Sequence, residues 1–111
     1  LSALRFVDGG LFDRRAVLEA PAGELDAMGG RAEGWSEMRE LSVRVEPIDV
    51  DVAERFGRLG ATLTHRVILR YRTDVERGMA FRLGARRLLV RSVHDPDERQ
   101  RILVCRCEEE A

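Results

Sequence analysis

Thr62-Leu-Thr-His-Arg-Val-Ile-Leu-Arg-Tyr-Arg72 is the stretch on which the fold turns. Leu63, His65, Val67, Leu69 and Tyr71 fall on one side of an extended chain. Thr64, Arg66, Ile68, Arg70 and Arg72 fall on the other. Side chains alternate across a strand with a period of two, so this pattern predicts a half-buried β-strand. Ile68 is the one apolar residue on the polar side.

Downstream, residues 79–83 and 86–93 read as a hairpin about Gly84-Ala85, with Gly at the first loop position as a type II′ turn requires. Asp95-Pro96-Asp97-Glu98 marks a turn into a last strand at residues 100–107, and residues 108–111 read as an acidic tail. Upstream, residues 11–19 and 35–46 read as two strands. In the second, Leu41, Val43 and Val45 alternate against Ser42, Arg44 and Glu46 before Pro47 ends it. The Pro- and Gly-rich stretch between them is a loop. Residues 49–60 change period: Val52, Phe56 and Leu59 form a helical stripe, Asp49 or Asp51 can cap it, Glu54 and Arg58 pair, and Gly60 can end it. The expected fold is mainly β, a small antiparallel barrel or sandwich of about six strands. One short helix or loop excursion lies between strands two and three. At 111 residues the chain reads as a single domain with an N-terminal arm over residues 1–10.

The net charge of -1 gives no global basic field to attract nucleic acid. It hides an asymmetry. Residues 1–60 carry 8 Arg and 12 acids, a balance of -4, and residues 61–111 carry 11 Arg and 8 acids, a balance of +3. Opposite charge on two halves suits head-to-tail contact between copies. All nineteen basic residues are Arg, which fits a GC-rich bacterial or phage genome. No signal-peptide pattern opens the chain, and no run approaches the ~20 apolar residues of a membrane span, so no membrane partner is expected.

The inventory for chemistry is thin. His65 lies on the apolar strand face and reads as a hydrogen-bonded core or interface residue. His94 stands at a strand end beside Asp95. Cys105 and Cys107 point the same way from one strand, which disfavours a mutual disulfide and favours reduced buried thiols. Together with His65 and His94 they include the ligand types of a zinc site, but at the spacing of no known module. No catalytic residue, metal or cofactor is expected. Arg66, Arg70 and Arg72 share a strand face, with Arg82, Arg91 and Arg101 on nearby strands. That face suits solvent, inter-subunit ion pairs or DNA phosphates. The scarcity of aromatics disfavours a single-strand stacking platform of the OB type.

A set of phrases, in order, carries a resemblance. Gly10-Leu11-Phe12-Asp13-Arg14-Arg15-Ala16-Val17-Leu18 opens it, followed by Gly29-Gly30 and Trp35, then Val43-Arg44-Val45-Glu46-Pro47. Thr64-His65-Arg66-Val67-Ile68-Leu69-Arg70-Tyr71-Arg72, Gly78, Gly84 and Val93-His94-Asp95-Pro96-Asp97-Glu98-Arg99 complete it. The chain resembles the head–tail joining proteins of tailed bacteriophages, also called head-closure or stopper proteins, which occur in prophages and gene transfer agents as well. The resemblance implies a non-enzymatic virion component of the particle neck, assembled in the bacterial cytoplasm. It implies a ring of six or twelve copies between a portal/adaptor ring and a tail terminator or tail tube, around packaged double-stranded DNA. It also implies a gate in the segment between strands two and three: Pro47, Asp49, Val50, Asp51, Val52, Glu54, Arg55, Phe56, Gly57, Arg58 and Gly60. Arg66, Arg70 and Arg72 would form the subunit-interface or channel face. A tail-terminator or adaptor ring without a plug, and an OB-like nucleic-acid-binding domain, are the alternatives.

Overall fold

The computed structural model describes residues 11–23, 34–49 and 62–110. The proposed arm at residues 1–10 and the helical stripe at residues 50–60 lie outside them. Six strands form: β1 (Arg14–Pro21), β2 (Trp35–Pro47), β3 (His65–Arg70), β4 (Ala80–Leu83), β5 (Arg86–His94) and β6 (Ile102–Glu109). They close into an antiparallel barrel in the order β1-β2-β3-β6-β5-β4. The expected mainly β barrel is therefore the observed fold, with the strand boundaries moved, most of all in β1, β3 and β6. β1 starts later than the pattern suggested and runs to Pro21. β3 is shorter, six residues from His65 to Arg70, although the bond from Tyr71 N to Arg101 O at 3.0 Å continues its register with β6. β6 runs on through Glu108 and Glu109, so the first two residues of the acidic run belong to the strand.

Alternation fills the interior. Ala16 and Leu18 of β1, Leu41 and Val43 of β2, Val67 and Leu69 of β3, Phe81 and Leu83 of β4, Leu88 and Val90 of β5, and Leu103, Cys105 and Cys107 of β6 form one buried cluster. A six-stranded barrel is narrow enough for side chains to fill it. Each fully buried Leu, Val or Phe contributes about 1.5–3 kcal/mol. Ile68, the apparent intruder, faces outward and is buried against Ile102, Val104 and Phe12, since Phe12 folds back over the β3–β6 wall. The Arg70 guanidinium in turn lies 5.5 Å from the Phe12 ring centre.

Gly84 adopts φ 61° at the first position of the β4–β5 turn, the conformation expected there. Two bulges shape the wall. One doubles β2 opposite Leu18 and Glu19 and leaves Met38 45% exposed. The other places an extra residue, Arg91, between Val90 and Ser92 of β5. Bulges increase twist and re-aim side chains, which helps a short sheet close.

Candidate functional site

A packed interior puts any function on the outer walls and the two ends of the barrel. The wall carried by β1, β4 and the start of β5 is charge-compensated. Glu19, 3% exposed, accepts from Arg82 Nε at 3.2 Å and from Arg87 Nε at 2.9 Å. Arg82 reaches on to Glu37 at 2.7 Å, Arg87 reaches Glu110 at 3.3 Å, and the Arg87 guanidinium covers Trp35 at 5.2 Å. A buried carboxylate with two bidentate-capable partners is stable where a lone one would not be. Sequence reasoning missed Glu19 because its partners are 63 and 68 residues away.

The wall of β2, β3, β6 and the end of β5 differs. The register sets Glu46 beside Arg66, Arg66 beside Arg106, and Arg106 beside Ser92. Glu46 is shared between Arg44 at 2.8 Å and Arg66 at 3.4 Å. Arg91 holds Glu108 at 2.7 Å. Arg66 and Arg106 are like charges directly across a strand pair, an arrangement that destabilises a sheet by itself. Burial, and then Arg66, pull the Arg106 pKa down. His94, with Nδ1 3.3 Å from Arg106 Nη1, is likewise shifted down, first by burial and then by Arg106.

One end of the barrel is closed by a hydrogen-bonded cluster. Arg86 donates to both Glu109 oxygens at 2.8 and 3.2 Å and lies 3.4 Å from His65 Nε2. Arg can only donate, so Nε2 accepts and the proton sits on Nδ1, which lies 2.8 Å from Thr64 Oγ1. That oxygen also accepts from Glu109 N at 2.8 Å. Arg86 holds the Glu109 carboxyl below its ordinary pKa. Beneath the cluster lies Cys107. Burial pushes its thiol pKa up, and that of Cys105 up to about 12, so neither is an activated nucleophile.

At the other end β2 and β3 part. A cleft of about 390 Å³ opens there, lined by Leu41, Ser42, Leu69, Arg70, Tyr71 and Arg72.

The residues expected from the sequence to form a channel or interface face are thus divided. Arg66 belongs to the like-charged wall and Arg70 lies over Phe12. Arg72 is tied through two nitrogens to Asp74 at 2.9 Å at the cleft. Of the other arginines singled out, Arg82 serves the Glu19 wall, Arg91 holds Glu108, and Arg101 pairs with Asp97. Pro47 and Asp49 are exposed beside the closed end, and the remaining gate residues, from Val50 to Gly60, lie outside the described residues. Cys105 faces the interior while His94, opposite Val104, faces out, so the four zinc-type ligands do not converge.

A filled barrel whose distinguishing chemistry is charge on its walls is a structural, assembling domain. Residues 7–110 match the phage head completion protein family, and the chain belongs to that family of structural virion proteins, which are not enzymes. It is similar to the solution structure of protein SF1141 from Shigella flexneri 2a (TM-score 0.73, 23% identity, covering 95% of this chain and 98% of that one). It is also similar to a chain in the virion of a native gene transfer agent particle (TM-score 0.61, 22% identity, covering 87% and 94%). No curated protein matches it.

Proposed function

We propose that the chain forms a closed ring in the neck of a phage or gene-transfer-agent particle. The ring stands between the portal/adaptor and the tail and continues the DNA channel. The observation that carries this reading is the unequal charge of the two walls. Arg66 and Arg106 stand as like charges directly across the β3–β6 pair, whereas on the other wall Glu19 lies between Arg82 and Arg87. Two unlike surfaces on one subunit can meet in a heterologous contact, which gives a ring when the rotation between copies closes. The interior is filled with side chains, so DNA passes through the lumen between copies and not through a barrel. The shared fold with a gene-transfer-agent particle chain agrees with such a setting.

Within this ring, residues 47–61 act as the gate. Asp49, Asp51 and Glu54 repel phosphate and let DNA slide. An electron-microscopy reconstruction of the neck tests the ring: density for six or twelve copies between portal/adaptor and tail is expected, and absence of the chain from the neck overturns it. Deleting residues 49–60 tests the gate. Rings that form normally but leak DNA from filled heads are expected, and full DNA retention would leave a ring without a plug.

A further inference from the structure

Among the described residues, part of the β2 edge is left unpaired, and it borders the cleft. β2 pairs with β3 only from Val43 to Pro47, while its first part, residues 35–42, pairs with β1 alone. Ile48 N donates across to Thr64 O at 2.9 Å. By strand alternation the backbone of Glu46, Arg44, Ser42 and Glu40 turns to that same side. Among the described residues, Ser42 and Glu40 have no strand paired to them on that side. On the far lip, the bond from Tyr71 N to Arg101 O turns odd-numbered residues toward β6, so the backbone of Arg70 and Arg72 turns toward β2. Both lips therefore present main-chain donors and acceptors to the cleft.

The side chains give the cleft a polarity. Its floor is Leu41 and Leu69, members of the core. Its surround is cationic. Arg70 is exposed and stacks on Phe12, with no ion pair among the described residues. Asp74 is held low by Arg72 first and also feels Arg39, so this carboxylate sits between two guanidinium groups. Duplex DNA makes no use of an apolar floor or of a row of peptide N–H and C=O groups. An extended polypeptide uses both. An open edge pairs with an incoming strand, main-chain bonds supply affinity, and alternate side chains supply selectivity.

We propose that this cleft is a strand-docking site for an acidic, extended segment of a partner protein. The segment adds to the β2 edge at Glu40 and Ser42, rests an aliphatic side chain on Leu41 and Leu69, and sets a carboxylate on Arg70. The site stands whether or not copies of the chain form a ring.

The test is a titration of the isotopically labelled protein with acetyl-Asp-Val-Asp-Val-Asp-Val-Asp-amide, followed by amide NMR. Saturable shifts at Glu40, Ser42, Arg70 and Arg72 are expected, with slowed exchange of the Ser42 N–H. Ser42→Pro removes that N–H and leaves the bonds to β1, which come from the neighbouring residues. It should weaken the peptide about three- to tenfold, the effect of one main-chain bond. Ser42→Ala, which keeps the N–H, should bind as the parent does, and the NMR spectrum reports the fold of each variant. Arg70→Gln should weaken the acidic peptide, and a peptide N-methylated at alternate residues should bind poorly to the unaltered protein. The proposal is overturned by absence of saturable shifts, by equal binding of the corresponding Lys/Val peptide, or by equal binding of the N-methylated peptide. It is also overturned if a short DNA duplex shifts these amides while the peptide does not. Sedimentation of the same samples follows self-association separately, so failure of the ring and failure of the docking site are told apart.

Discussion

The two ends of the barrel are built from the same strands and finished in opposite ways. At the closed end, β3 is paired to β6 from its first residue, His65 opposite Cys107, and Thr64, His65, Arg86 and Glu109 satisfy one another over the core. At the open end, β2 continues past β3 without it, and the floor of the cleft is core leucine. Register makes the difference. A strand with a partner on each side has its polar groups satisfied within the fold, and a strand that outruns its partner keeps donors and acceptors for something else. The end that is finished internally serves stability, and the end that is not is where we place the docking site.

Truncating one leucine at each end probes this contrast most strongly. Leu83 borders the closed end and Leu41 lines the cleft, and both are buried. Leu83→Ala is expected to cost about 3–4 kcal/mol, because the sealed surroundings cannot collapse on the cavity. Leu41→Ala is expected to cost about 2 kcal/mol, because its site is already open on one side. Equal losses in urea unfolding would remove the distinction. Thr64→Val comes next. It leaves Glu109 N without its acceptor and is expected to cost about 1–2 kcal/mol. Cys107 should then label faster with a thiol reagent under native conditions, while Cys105 stays protected.

Smaller still is the dependence on pH. His94 has a folded pKa below its unfolded value near ~6.5, so the unfolded chain takes the proton first and stability begins to fall as pH drops below that value. Glu109, Asp74 and Asp97 are held low by Arg86, Arg72 and Arg101. Their contribution is complete above the ordinary carboxylate range of about 4 and is lost as pH falls through the folded values. Melting temperatures taken downward from neutral pH should show both limbs. His94→Gln should erase the first, and Glu109→Gln should make the second shallower without touching the first. The least effect is expected from Met38→Thr on the overhanging part of β2, a change within about 0.5 kcal/mol by thermal melting.

Much of this was legible in residue order. The alternation of residues 62–72 gave β3 its faces, Gly84 gave the hairpin its turn, and Cys105 and Cys107 were readable as a reduced inward pair. Each of these depends on neighbours within a few positions. Ile68 shows where that reading ends. Its neighbours in sequence make it an exception, and Phe12, brought back from before β1, together with Ile102 and Val104 of β6 makes it a buried residue. Arg66, Arg70 and Arg72 show the same limit. They share a strand face in the sequence, yet one joins the like-charged wall, one stacks on Phe12 and one binds Asp74 at the cleft.

The sequence by itself determined the strands, their inward residues and the kinship with head-joining proteins, because alternation and turn chemistry are local and the family's phrases keep their order. Only the tertiary structure decided which charges meet and where the barrel is left open. Glu19 finds Arg82 and Arg87, and β2 outruns β3, through a register set by closure of the whole sheet. That register is the joint outcome of six strands and two bulges, and no stretch of the chain carries it alone.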